Sequence, residues 1–127
     1  MMDIHNFWKA VLQQDAEKMR TYFKENAYVN WHCTNEHFSV EEYIRANCEY
    51  PGVWDGTIER VETTGDLTIV VVRVFACDKE LSFHVVSFMH MEEGLIRSLD
   101  EYWGDDGSAP QWRIEKKIGT VIKKPEA

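Results

Sequence analysis

Apolar side chains fall at Ile4, Phe7, Trp8, Val11 and Leu12, the spacing of one face of a helix, directly after Asp3, a competent N-cap. The pattern predicts an amphipathic first helix with a wide, aromatic inner face. Asp15 can cap a second, shorter helix that turns Ala16, Met19, Tyr22 and Phe23 inward, with Asn26 as its stop. The period then changes. In "AYVNWHC", Val29 and Trp31 fall on one side and Tyr28, Asn30 and His32 on the other, as in a short strand. Ser39 and Glu42 have the capping-box spacing, and Val40, Tyr43, Ile44 and Asn47 share one face of a third helix that Pro51-Gly52 ends.

From Thr57 the alternation is β-like, in segments Thr57 to Thr64, Leu67 to Cys77, Leu81 to Met91 and Leu95 to Trp103. The connections Gly65-Asp66, Asp78-Lys79 and Glu93-Gly94 are short and turn-forming, so the segments should pair as an antiparallel meander. Helices come first and the sheet later. This order predicts an α+β fold with the helices on one face of a curved antiparallel sheet.

A chain of 127 residues suits one domain, 1–127, with a core over about 4–106 and a C-terminal tail over 107–127. Apolar residues at 44% and aromatics at 13% supply a core and a lined cavity. The net charge of −8 argues against nucleic acid as a partner, since phosphates would be repelled over most of the surface. Lys116, Lys117, Lys123 and Lys124 around "IGTVI" read as a solvated tail or edge strand. Cys33, Cys48 and Cys77 are odd in number and widely spaced, which suggests neither a disulfide framework nor a zinc ribbon and fits a reducing cytoplasm. The N-terminus lacks a basic start and an apolar run, and no segment approaches membrane-spanning length, so a cytoplasmic protein with no membrane partner is expected.

The stretch "NWHCTNEH" concentrates reactive side chains, but alternation puts Cys33 opposite His32 and leaves His37 in a loop. A metal built on His32 and His37 is therefore the weaker interpretation beside a set of satisfied or exposed polar residues, and neither metal nor cofactor is expected. On the penultimate segment, His84, Val86, Phe88 and His90 share one face, which suits packing on a second subunit. Phe83, Val85, Ser87, Met89 and Met91 share the other, with Ser87 the odd polar residue. On the last segment Leu99, Glu101 and Trp103 alternate onto one side. After the loop Asp105-Asp106-Gly107, Pro110 and Trp112 are expected to fold back and close one end of the domain.

This order of elements, with "QQDAEKMRTYFKENAYVNWHC", the capped "FSVEEYIRAN" and the closing "EEGLIRSLDEYWGDD", resembles the nuclear transport factor 2-like superfamily over Ile4 to Asp106, nearest its SnoaL-like and ketosteroid-isomerase-like branches. The resemblance implies a cone of helices against a strongly curved sheet (a cystatin-like α+β barrel), a pocket for a small apolar organic molecule, and a homodimer. It does not imply one activity. Ketosteroid isomerases use an Asp base with a Tyr and a protonated Asp as oxyanion donors. Those three positions fall at Trp31, Phe7 and Ser87, so steroid isomerisation by that mechanism should be absent.

The implied pocket is lined by Phe7, Trp31, Tyr43, Trp54, Val85, Ser87, Met89, Leu99 and Trp103, with Asn35 or Tyr43 as a polar anchor near its mouth. Glu101 then lies between two large apolar side chains, where desolvation raises its pKa into the range useful for proton transfer. A salt bridge to Arg73 or Arg97 would instead make it structural. The expected activity is cofactor-independent isomerisation, cyclisation, dehydration or hydrolysis assisted by Glu101. The alternative is a non-catalytic ligand-binding or assembly module with the same pocket.

Overall fold

The computed structural model describes residues 2–78 and 80–122. The first helix, α1, spans Ile4–Leu12; the Asp3 carboxylate accepts the N–H groups of His5 and Asn6 at its start, and Phe7, Trp8, Ala10 and Val11 are buried. A short α2, Ala16–Arg20, follows Asp15 as its N-cap and buries Met19. The chain continues as β1 (Phe23–Trp31), a 3-10 turn (His32–Thr34), β2 (Glu36–Ser39) and α3 (Val40–Cys48). Both halves of the α3 capping box form, Ser39 receiving the Glu42 N–H and Glu42 receiving the Ser39 N–H. Strands β3 (Trp54–Thr64), β4 (Leu67–Ala76), β5 (Ser82–Glu92) and β6 (Leu95–Asp105) precede a final short helix, α4 (Gln111–Glu115).

The β3 to β6 segments form the expected meander, but the whole sheet has the order β2-β1-β6-β5-β4-β3. The expected curved sheet under the helices is present; β1 lies parallel to β6, so it is mixed and not wholly antiparallel, and it is not closed. The parallel pairing also explains why α2 ends early and Asn26 does not stop it. The Ile96 N–H bonds to the Tyr22 carbonyl and Phe23 pairs with Ile96, so ladder bonds to β6 take up backbone groups that the helical pattern assigned to α2. His37 lies in β2, opposite Asn30, and not in a loop. Four residues are too few to show a period, which hid this strand.

The inner face of the sheet and the apolar faces of α1 and α3 form one core, in which Phe7, Val29, Val70, Val72, Val85, Met89 and Leu99 have no exposed surface. Gly56 permits the approach of α1 to β3: a Cβ there would stand 2.8 Å from the Arg73 carbonyl oxygen and 3.1 Å from Leu12. Trp112 stays 55% exposed, so α4 does not seal the cone as expected. Lys79, Lys123 and Lys124, named above in a turn and a basic tail, lie outside the described residues. Among the described residues no helix is long and apolar enough to cross a membrane.

Candidate active site

Register builds the site. Glu101 on β6 pairs with Ser87 on β5 and with Trp31 on β1, so three neighbouring strands place Trp31, Glu101 and Ser87 side by side on the inner face. The Ser87 hydroxyl donates to Glu101 Oε2 at 2.5 Å, and the Trp31 indole N–H donates to Oε1 at 3.0 Å. The Trp103 N–H also favours the carboxylate charge, without reaching hydrogen-bond geometry.

Glu101 has no exposed surface, and burial raises its pKa to about 7 against the opposing pull of Ser87, Trp31 and Trp103. Among the described residues no cation pairs with it: Arg97 is exposed, and Arg73 lies over the Phe75 ring. The salt-bridge alternative is therefore overturned. Alternation puts Arg73 on the outer face of β4, and the register shift between Ile96 and Ser98 turns Arg97, which shares the parity of Glu101, out to solvent. Tyr43, also fully buried, has its pKa raised first by desolvation and then by the charge of Glu101.

A cavity of about 400 Å³ opens beside this row. Of the residues expected in the pocket, Trp31, Trp54 and Trp103 form its wall. Phe7, Tyr43, Val85, Ser87, Met89 and Leu99 do not: they are packed into the core beneath, because the floor of the cone is filled by α1 and α3 side chains. Glu101 is likewise one layer below the wall. Asn35 turns the chain between β1 and β2 in a left-handed conformation (φ +56°), and it is Glu36 and Thr34 that reach the cavity. Sequence reasoning missed Trp8, Phe83 and Tyr50 as wall residues. The signal for two of them was present, since Trp8 shares the inner face of α1 and Phe83 the inner row of β5.

The polar residues of "NWHCTNEH" form a separate outer cluster. His32 Nε2 lies 2.7 Å from Asp100, Asn30 donates to the same carboxylate, and His37 Nδ1 meets Asn30 Oδ1 at 2.6 Å. His32 also stacks on Tyr102. No group of three or more potential metal ligands occurs among the described residues. A larger concavity, about 590 Å³, lies outside β1 and the start of α3, but its cations Arg20 and Lys24 are already paired with Glu41 and with Glu92 and Glu93.

No protein-family model and no curated protein sequence matches the chain. Solved structures do. A protein from Kribbella flavida, provisionally assigned as a ketosteroid isomerase, aligns with a TM-score of 0.76 at 21% identity over 94% of this chain and 87% of its own. A nuclear transport factor 2-like protein from Burkholderia xenovorans gives 0.74 at 18% identity, over 94% and 92%. A provisional SnoaL-like polyketide cyclase from Shewanella putrefaciens gives 0.65 at 10% identity, over 77% and 75%. The chain has the nuclear transport factor 2-like fold. Within this fold, the two strand positions at which the resemblance placed the acids of ketosteroid isomerases carry Trp31 and Ser87, and both hydrogen-bond Glu101 on the strand between them.

Proposed function

We propose that the aromatic cavity binds a small organic molecule and that Glu101 exchanges protons with it, without a cofactor, in an isomerisation, cyclisation, dehydration or hydrolysis. One observation carries this reading: a carboxyl whose neutral and charged forms balance near neutral pH lies directly behind two walls of the cavity. In its neutral form it can donate to a carbonyl oxygen; in its charged form it can take a proton from the adjacent carbon. Contact requires the Trp31 or Trp103 indole to give way, because Glu101 has no exposed surface of its own. The similarity to structures provisionally assigned to ketosteroid isomerisation and polyketide cyclisation supports an organic ligand.

A suitable probe is 2-tetralone, a bicyclic ketone smaller than the cavity's volume of about 400 Å³. Its binding is expected to change the fluorescence of the wall tryptophans, and exchange of its α-hydrogens in deuterated water, followed by proton NMR, should run faster with the wild type than with Glu101→Gln. Equal exchange rates would remove the catalytic role. A non-catalytic binding or assembly module is the second reading, favoured by the fact that Glu101 contributes nothing to the cavity wall.

The outer row His84, Val86, Phe88 and His90 is half-buried in the single chain, with His84 between Glu59 and Asp106 and Phe88 edge-on to Tyr102. This row supports the reading that a second copy covers the sheet. Sedimentation equilibrium should return twice the chain mass, and a monomer mass at micromolar concentration would exclude it.

A further inference from the structure

The wall of the cavity is a continuous arc of rings. Tyr50 stacks on Trp54 with centroids 5.2 Å apart; Trp54 meets Phe83 at 6.0 Å, Phe83 meets Trp103 at 6.3 Å, and Trp103 meets Trp31 at 6.0 Å. Steric lining alone does not explain this choice, since leucine or methionine would fill the same wall. What five adjacent π systems add is a field: each ring presents a negative face, and a cation set among them is attracted without being stripped of all compensation. The charge of the surroundings points the same way. The residues lining this cavity include the carboxylates of Glu36 and Asp105 and no Lys, Arg or His. Glu36 is held by Thr34, whose hydroxyl donates to it at 2.7 Å. The whole chain carries −8. A ligand with its own carboxylate or phosphate would meet repulsion from rim, rings and net charge together.

The Trp8 and Trp103 indole N–H groups of the wall both lack an acceptor among the described residues, but both nitrogens are fully enclosed, so neither is offered to a ligand in the cavity.

We propose that the cavity selects an organic cation, a tertiary or quaternary ammonium compound; this rests on the cavity being the ligand site, as argued above. The ammonium group would sit within the arc from Tyr50 to Trp31 with Glu36 and Asp105 facing it from the rim. No chemical step is implied by the binding itself.

Three probes of nearly equal shape isolate the charge: choline, its neutral carbon counterpart 3,3-dimethylbutan-1-ol, and the anion 3,3-dimethylbutanoate. In titrations followed by tryptophan fluorescence and calorimetry on the intact protein, choline should bind roughly ten-fold tighter than the alcohol, and the butanoate weakest. The double variant Glu36→Gln and Asp105→Asn should weaken choline several-fold while leaving the alcohol unchanged. Binding of the alcohol as tightly as choline, or choline affinity indifferent to the double variant, would overturn the proposal. The two readings fail separately: if 2-tetralone binds and choline does not, only the cation preference is lost; if neither binds, the cavity is not the ligand site.

Discussion

Replacing Glu101 with Gln is expected to stabilise the protein near pH 8 and to flatten its stability profile between about pH 4.5 and pH 7. The Glu101 carboxyl has its pKa raised from 4.5 to about 7 by burial. The folded state therefore holds a proton through this window that the unfolded chain has released, and stability falls as pH rises toward the folded pKa. Below the unfolded value the neutral acid costs nothing extra; above about 7 the whole penalty is present. At 1.36 kcal/mol per unit, that penalty is on the order of 3 kcal/mol. Glutamine can accept from Trp31 as the acid does and donate to the Ser87 oxygen once that hydroxyl turns from donor to acceptor, but it brings a second amide N–H that needs an acceptor and costs about 1 kcal/mol. A net gain of about 2 kcal/mol near pH 8, and a small loss near pH 5, should appear in urea unfolding at the two pH values. The exposed carboxylates Glu41, Glu42, Glu49 and Glu92 have lowered pKa values, held down chiefly by bonds to Arg20, Ser39, Arg45 and Lys24 respectively. Their contribution is lost only as pH falls below their ordinary range, so it does not mask the slope from Glu101. A variant that keeps the wild-type slope would show that the buried carboxyl is not the titrating group.

The phase of the last strand was legible in the sequence because strand alternation is strict: once Leu99 is inside, Glu101 and Trp103 follow. Caps were legible for a similar reason, since Ser39 and Glu42 act over one turn of chain. What could not be read was everything set by partners distant in sequence. Nothing local says that β1 runs parallel to β6, and the helix-like spacing of Tyr22 and Phe23 loses to ladder bonds with Ile96 for that reason. The same limit applies to the pocket. Which inward residues bound an open space, and which are pressed against another element, depends on how α1 and α3 sit on the sheet. Phe7 and Trp8 are adjacent on one helix, yet only Trp8 reaches the cavity. The absence of a salt bridge to Glu101 also turns on geometry, namely the outer face that holds Arg73 and the register shift that turns Arg97 outward.

Two substitutions of Trp31 should move the Glu101 pKa in opposite directions. Trp31→Phe keeps a ring over the carboxyl but removes the indole N–H that donates to Oε1. Because that bond favours the charged form, its loss leaves burial less opposed, and the pKa rises above about 7. Trp31→Ala removes the same bond and also the cover, since the ring packs against Phe38, Tyr43 and Trp103. Burial is the largest influence on Glu101, larger than any one hydrogen bond. Admitting water therefore outweighs losing the donor, and the pKa falls toward the ordinary carboxylate value. The alanine variant also loses packing, about 3 kcal/mol for truncating a largely enclosed tryptophan, and this loss should be greatest near pH 5. Near pH 8 part of it is offset, because the carboxylate is then solvated. Carboxyl carbon NMR titrations of both variants measure the two directions, and urea unfolding measures the stabilities. Shifts of the same sign would mean that Trp31 acts on Glu101 by hydrogen bonding alone and does not shield it. If it does shield it, the alanine variant opens a path from cavity to acid, so α-hydrogen exchange of 2-tetralone should accelerate in the same protein that has become less stable. A wall that stabilises the fold while restraining the buried acid Glu101 is what the proton-transfer reading requires of Trp31.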